Sequence, residues 1–314
     1  MAHPPRQTAS PPTRQLPFME ALRFVYLRRV VGTALHAVGF EAALRLARAL
    51  ARGVYDLYGP ARRRAEQRIV AAQTALAAPP GEPAELVRLC YENIAAFWIE
   101  TLFFRRRMRP STWRRCVRID REPDLLDVCH GPSPAIFVTG YLGHPGVGAF
   151  VLGQLCRPVH VLVDLLAQPV LRTWQADMYG QPHVRLIGRS ESLTKLPAIL
   201  ESGGKIVLVG EAFRDEPTSD VPPRRPKGDA VRFLGRAHRA YQTVRLLSQR
   251  YSAPVVPFAC TREPWRFEFT LRFGQRIEPA APDVSQQLIA ALESFILAHP
   301  TQYLWTLPDA LGTV

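Results

Sequence analysis

The 314-residue chain has little lysine, no long hydrophobic run and no paired cysteines, and each shortage excludes something. Its five cysteines (Cys90, Cys116, Cys129, Cys156, Cys260) are scattered, odd in number and never spaced C-x-x-C. That pattern argues against a zinc site or a disulfide framework and for a reducing compartment. The early uncharged stretch Val30–Phe40 has eleven residues, whereas a bilayer span takes about 20. A cleavable signal is not evident, because the first apolar stretch begins late and lacks a convincing cleavage site. Also missing are the G-x-S-x-G elbow of serine hydrolases, a Walker lysine motif and a G-x-G-x-x-G fingerprint in the right place. Aromatics interleaved with a basic patch are not visible either, so no nucleic-acid partner is expected.

What is present is ordinary in bulk, 47% apolar and 21% charged, and enough for a sizeable core. The net charge of +13 is not ordinary. Such an excess attracts anionic membrane, acidic ligands or nucleic acid without specifying a fold. Nearly all the basic residues are arginine, and a GC-rich genome produces the same bias.

Along the chain, residues 1–15 are rich in proline, threonine and arginine and read as disordered. Residues 16–130 read as a helical, membrane-associating region, and 131–314 as an α/β core continuous with it. From Leu16 to Tyr58 the spacing predicts helix interrupted near Gly32 and Gly39. Leu22, Val25, Tyr26, Val30 and Ala34 recur at helical spacing with arginines between them. That suits a helix lying in an anionic membrane interface, and equally a core-packing amphipathic helix. Further helices are predicted over Arg62–Ala77 and Glu82–Phe104.

After Pro132 short apolar runs alternate with helical segments. The runs are Ala135–Thr139, Val159–Val163, Val184–Ile187, Lys205–Val209 and Val255–Ala259. The helices are Gly146–Leu155, Pro169–Tyr179, Ser192–Ser202 and Ala237–Tyr251, with a last one from Asp283, capped by Gln286, to Pro300. Alternation of this kind implies an α/β fold: a mixed, mostly parallel sheet with helices on both faces and the N-terminal helices packed on it. Phe267–Phe273 alternates strictly and reads as a half-exposed, antiparallel strand near an edge.

Ligands in such sheets bind beyond the carboxyl ends of strands. His144 falls there, after Ala135–Thr139 and before Pro145, at or next to a helix N-cap. Unpaired N–H groups and the positive dipole end would hold its ring neutral, able to accept a proton near pH 7. A histidine that merely caps the helix fits the same residues. Glu211 follows the apolar run Ile206–Val209. If the two strands are neighbours, its carboxylate could orient the His144 ring; a pairing with Arg214 or a backbone amide is the other reading. Gly188-Arg189-Ser190 also follows a strand. Asp215–Val231, with four prolines and the cluster Arg224-Arg225-Pro226-Lys227, has the length of a lid or of a plain surface loop. Neither a metal nor a permanently bound cofactor is expected.

The pieces Tyr91-Glu-Asn-Ile, Thr139–His144, Gly203–Glu211, Val231–Arg236, Ala253–Pro257, Leu292–Pro300 and Tyr303-Leu-Trp305 come in an order and spacing that is fairly specific. Together they resemble the lipid A biosynthesis (lauroyl/myristoyl) acyltransferase family, within the lysophospholipid-acyltransferase-like group, over nearly the whole chain. The resemblance implies a glycerolipid-acyltransferase-like fold. It implies an acyltransferase that moves a fatty acyl group from an acyl carrier protein or coenzyme A thioester, its co-substrate, to a hydroxyl or amine of a lipid or glycolipid precursor. It also implies a peripheral or monotopic place on the cytoplasmic face of the inner membrane.

In that family a histidine followed five positions on by Asp or Glu deprotonates the acceptor. His144 matches the histidine, and position 149 is alanine. Glu211 stands where the family commonly carries Asp, Asp164 where it often carries Arg, and Thr306–Asp309 where a basic stretch is usual. His144 and Glu211 are the catalytic candidates; Tyr141, Gly143, Arg189, Arg214 and Arg236 are the substrate-binding ones. Arg189 and Arg214 would contact phosphate. An inactive homologue that binds acyl carrier or lipid as an accessory protein is the alternative.

Overall fold

The computed structural model describes residues 18–57, 59–75, 81–120, 125–163, 181–210 and 228–306. The expected disordered start, the helix at Pro169–Tyr179 and the lid through Lys227 lie outside the described residues. So do Asp164, Glu211 and Arg214.

Four helices lead the chain: α1 (Phe18–Val38), α2 (Phe40–Leu57), α3 (Gly59–Ala75) and α4 (Pro83–Arg107). Gly32 continues α1, and only Gly39 interrupts it. Gly39 takes φ +84, a left-handed conformation that ends a helix at little cost only for glycine. The α1–α2 bend there is 119°. Among the described residues no single helix is long and apolar enough to cross a membrane. On α2, Phe40, Ala43, Leu44 and Ala51 are buried, while Leu46, Leu50, Val54 and Leu57 form an exposed stripe. One helix thus packs on the core and also shows an apolar face to the outside. In α4, Glu82 caps the start by accepting from the Glu85 N–H, and Arg105–Arg107 occupy the last turn, where cations suit the dipole.

The remaining elements are β1 (Val117–Asp120), α5 (Leu125–His130), β2 (Ala135–Thr139), α6 (Pro145–Cys156), β3 (Val159–Val163), β4 (Val184–Gly188), α7 (Ser192–Glu201), β5 (Lys205–Val209), β6 (Asp229–Phe233), β7 (Arg236–Ala240), α8 (Thr243–Tyr251), β8 (Val255–Arg262), β9 (Phe269–Phe273) and α9 (Val284–Ala298). Seven of the described strands make one sheet in the order β1-β9-β8-β2-β5-β3-β4. Strands β8 through β4 run parallel, and β9 is antiparallel to β8. In the middle strand β2 alternate side chains enter different cores. Phe137 packs with α4, α6 and β8 on one face. Ile136 and Val138 pack with α7, α9 and the start of α4 on the other. Burial on both faces explains why these strands read as unbroken apolar runs. The mixed, mostly parallel sheet covered by helices is the architecture the alternation predicts.

Three expectations need correction, and two short elements are new. Phe269–Phe273 is antiparallel to β8 and next to the edge strand β1, as expected, but it is mostly buried rather than half-exposed, because β1 covers its far side. The helix expected over Ala237–Tyr251 begins only at Thr243; Ala237–Ala240 belongs to β7, which pairs with β6 as a hairpin. Gln286 does not close a capping box: its side chain bonds the Arg232 backbone, fastening α9 to β6. The short elements β1 and α5 were not anticipated, since four to six residues are too few for a periodicity to show.

Candidate active site

The site is built at the carboxyl end of β2. Five residues, Gly140–His144, carry the chain from β2 into α6, and both walls of the turn are tied down. On one side Gly143 N–H donates to Gln302 O (3.2 Å) and Leu304 N–H to Tyr141 O (3.1 Å). On the other, His144 N–H donates to Cys260 O at 2.7 Å. Gly143 has φ +64, and a Cβ there would sit 2.0 Å from Cys260 O. Only glycine lets the turn approach β8 this closely.

His144 is the N-cap of α6, with Pro145 at the first helical position, as expected. Its Nδ1 accepts the Val147 N–H (3.2 Å), and its Nε2 lies 3.3 Å from Thr101 Oγ1 on α4. Thr101 spends its own proton on Phe97 O at 2.6 Å. A hydroxyl has one proton, so the network assigns Nε2–H as donor and Thr101 Oγ1 as acceptor. Phe97, Phe104 and Phe269 enclose the ring, which is 1% exposed. Burial holds its pKa down at about 3, and the positive charge of Arg262 pushes the same way. The neutral state expected from sequence is therefore present, but desolvation rather than the helix end is the main cause.

Under the turn lies a buried charge network. Arg262, the last residue of β8, donates from Nε to Glu100 (2.8 Å), from Nη1 to Asn93 Oδ1 (3.1 Å) and from Nη2 to Gly143 O (2.8 Å). Both charged side chains are almost fully buried. Burial raises the Glu100 pKa, while Arg262 and Arg48 pull it down. Glu92, about two turns earlier in α4, holds Arg52 and Arg88 at 2.8 and 2.7 Å.

A cavity of about 830 Å³ opens beyond the carboxyl ends of β2, β3 and β5. Among the described residues its wall is mostly apolar, with Ile94, Phe97, Ala149, Val161, Leu186, Leu196 and Val207. Tyr141, Gly143, Pro145, Gly146, Asn93 and Arg262 border it on the turn side. Arg189, exposed at the end of β4, also lines it. The structure thus gathers Tyr141, Gly143 and Arg189 at one cavity. Arg236 is not there: it is exposed on the β6–β7 hairpin, which packs on α9. His144, buried with Thr101 and the phenylalanines, is not part of the cavity lining, whereas its neighbours Gly143, Pro145, Gly146 and Ala149 are. Strands β2 and β5 are neighbours, with Gly210 N–H donating to Thr139 O at 2.8 Å. The described part of β5 and Gly210 therefore ends beside the turn.

Glu100, Thr101 and Arg262 escaped the reading of the sequence. One signal was there. Glu100 is a lone carboxylate inside the apolar stretch Ile94–Phe104, and a charge in such a place must find a buried partner. The partner is 162 residues away, and no spacing rule reaches it.

The family model for bacterial lipid A biosynthesis acyltransferases matches residues 16–309. No curated protein gave a match. Among solved structures, the chain is similar to the 1-acyl-sn-glycerophosphate (LPA) acyltransferase PlsC from Thermotoga maritima. That similarity has 10% identity and a TM-score of 0.35, over 67% of this chain and 81% of the other.

Proposed function

Because the chain belongs to the bacterial lipid A biosynthesis acyltransferase family, we propose that it takes its acyl group from a thioester and that His144 is the base. As a member it is an acyltransferase acting in lipid biosynthesis. The donor is an acyl carrier protein or coenzyme A thioester, and the acceptor is a hydroxyl of a lipid or glycolipid precursor. One observation carries this reading: the mostly apolar cavity of about 830 Å³ that borders the Gly140–His144 turn. It falls in the usual size range of small-molecule pockets, roughly 300–1,000 Å³, and its lining suits an acyl chain.

In the reaction, His144 takes the acceptor hydroxyl proton and the oxygen attacks the thioester carbonyl. The tetrahedral intermediate then expels a thiolate, which recovers the proton from the imidazolium. The ring must first leave Thr101 and the phenylalanine enclosure and turn into the cavity, freeing a nitrogen lone pair. With alanine at 149, Glu211 is the carboxylate proposed to orient it there. Arg189 and Arg214 are proposed to meet donor or acceptor phosphate.

The exposed stripe Leu46, Leu50, Val54 and Leu57, flanked by Arg45 and Arg52, supports seating α2 on an anionic bilayer on its cytoplasmic face. A second reading has its own support. With Ala149 at the acid's position and both ring nitrogens engaged, the chain fits an accessory protein that binds acyl groups without turnover.

The test is transfer from radiolabelled acyl thioesters to lipid extracts, together with the lipid profile of a deletion strain. His144→Ala should abolish transfer and leave the fold intact; unchanged turnover would sink the assignment. Thioester binding by the parent without transfer to any acceptor would favour the accessory reading.

A further inference from the structure

The mechanism above uses neither Arg262 nor Glu100. Yet Arg262 is the buried cation nearest the reacting turn, and all of its side-chain bonds run to that turn or to what supports it. One terminal nitrogen fixes Gly143 O, the carbonyl of the residue just before His144, at 2.8 Å. The other reaches Asn93 at 3.1 Å, and Nε faces Glu100 at 2.8 Å. Its backbone is clamped too: N–H donates to Gln302 Oε1 (2.8 Å), and its carbonyl accepts from Gln302 Nε2 (2.9 Å). Gln302 also accepts the Gly143 N–H through its own carbonyl (3.2 Å). Gly143 is thus held at its N–H by Gln302 and at its carbonyl by Arg262. Cys260, two residues before Arg262, accepts the His144 N–H at 2.7 Å.

We propose that Arg262, anchored by Glu100, is a positioning residue for His144: it sets the peptide that aims the ring and keeps a fixed positive charge beside it. This rests on His144 being the base. A fully buried ion pair is a costly way merely to stabilise a fold, and apolar residues of similar size commonly do as well. Here only a planar fork meets Glu100, Asn93 and Gly143 O together, and lysine cannot.

Among the described residues the charges around the ring are few. The elements packed on it, α4, α6 and β9, present Phe97, Phe104, Thr101, Val147 and Phe269. Arg262 is the ionised group acting on it directly. Glu100 opposes Arg262, and Arg48 from α2 stands against Glu100.

The two partners therefore act on the ring with opposite signs, which a purely structural role would not do. In Arg262→Gln the imidazolium loses a repelling neighbour, so the acid limb of kcat/KM should move to higher pH. In Glu100→Gln the cation is left uncompensated, and the limb should move to lower pH. Arg262→Gln should also cut kcat roughly tenfold or more with KM within about threefold, as expected for a misaimed group. Arg262→Lys, which keeps the charge, should lose kcat while leaving the limb near its parental place. Limbs that move in the same direction in the two Gln variants, or kcat that falls only as far as the folded fraction does, would overturn the proposal. Should Arg262→Gln not fold, the Lys and Glu100→Gln variants decide it by the same criteria.

If the parent shows no transfer from any thioester, the functional reading fails by itself. The His144 ring is then titrated by NMR between about pH 2 and 7, a range that brackets its pKa of about 3. A higher ring pKa in Arg262→Gln supports the placement of the charge; an unchanged titration overturns it.

Discussion

Acid should destabilise this protein through His144 in particular, by an amount the structure sets. The ring is 1% exposed and its pKa is held at about 3, against about 6.5 in the unfolded chain. The folded pKa is depressed, so the unfolded state binds the proton more readily. The stability due to the neutral buried ring is fully present above pH 6.5 and is lost as pH falls towards 3. Between pH 7 and 5 the unfolded state takes up most of one proton and the folded state almost none, a loss of about 2 kcal/mol.

His144→Asn isolates this loss. Asn carries an oxygen able to cap Val147 as Nδ1 does and has nothing that titrates. His36, His160 and His299, whose pKa values burial also lowers, remain in both proteins and cancel. Urea unfolding at the two pH values should show the parent losing about 2 kcal/mol more than the variant. Equal losses would refute the buried, neutral ring and with it the Thr101 contact.

Three further outcomes follow from packing. Gly143→Ala puts a methyl 2.0 Å from Cys260 O at φ +64, and should cost more than about 2 kcal/mol in denaturant melts. Glu100→Leu leaves Arg262 buried without its partner and should cost about 3–5 kcal/mol. Adding Arg262→Met should recover part of that stability but not the activity. Ala149→Phe fills part of the cavity wall and should shift the preferred acyl donor towards shorter chains in a competition assay. An unchanged chain-length preference would mean that the acyl group is not bound in this cavity.

Much of this protein could be read from the residues in order. The run Ala135–Thr139, its glycine turn and Pro145 state a strand, a turn and a helix start within a few residues, because each is a local rule of backbone geometry. Gly39 announced a helix break by the same logic, whereas Gly32 did not break one. Glycine permits a left-handed residue, and packing decides whether it is used. The β6–β7 hairpin was hidden for another reason. Arg236–Ala240 has a helix-compatible composition, and only pairing with Asp229–Phe233 makes it a strand.

By itself, then, the sequence determined most of the longer elements, the position of His144 at the start of α6, the absence of an acid at 149 and the family. Tertiary structure decided which way the ring faces, which charges surround it and what cavity lies beside it. Those are sums over neighbours brought from far along the chain: Thr101 on α4, Phe269 on β9 and Arg262 on β8. Desolvation and Coulomb energies depend on distances through space, and a sequence does not contain them until it folds.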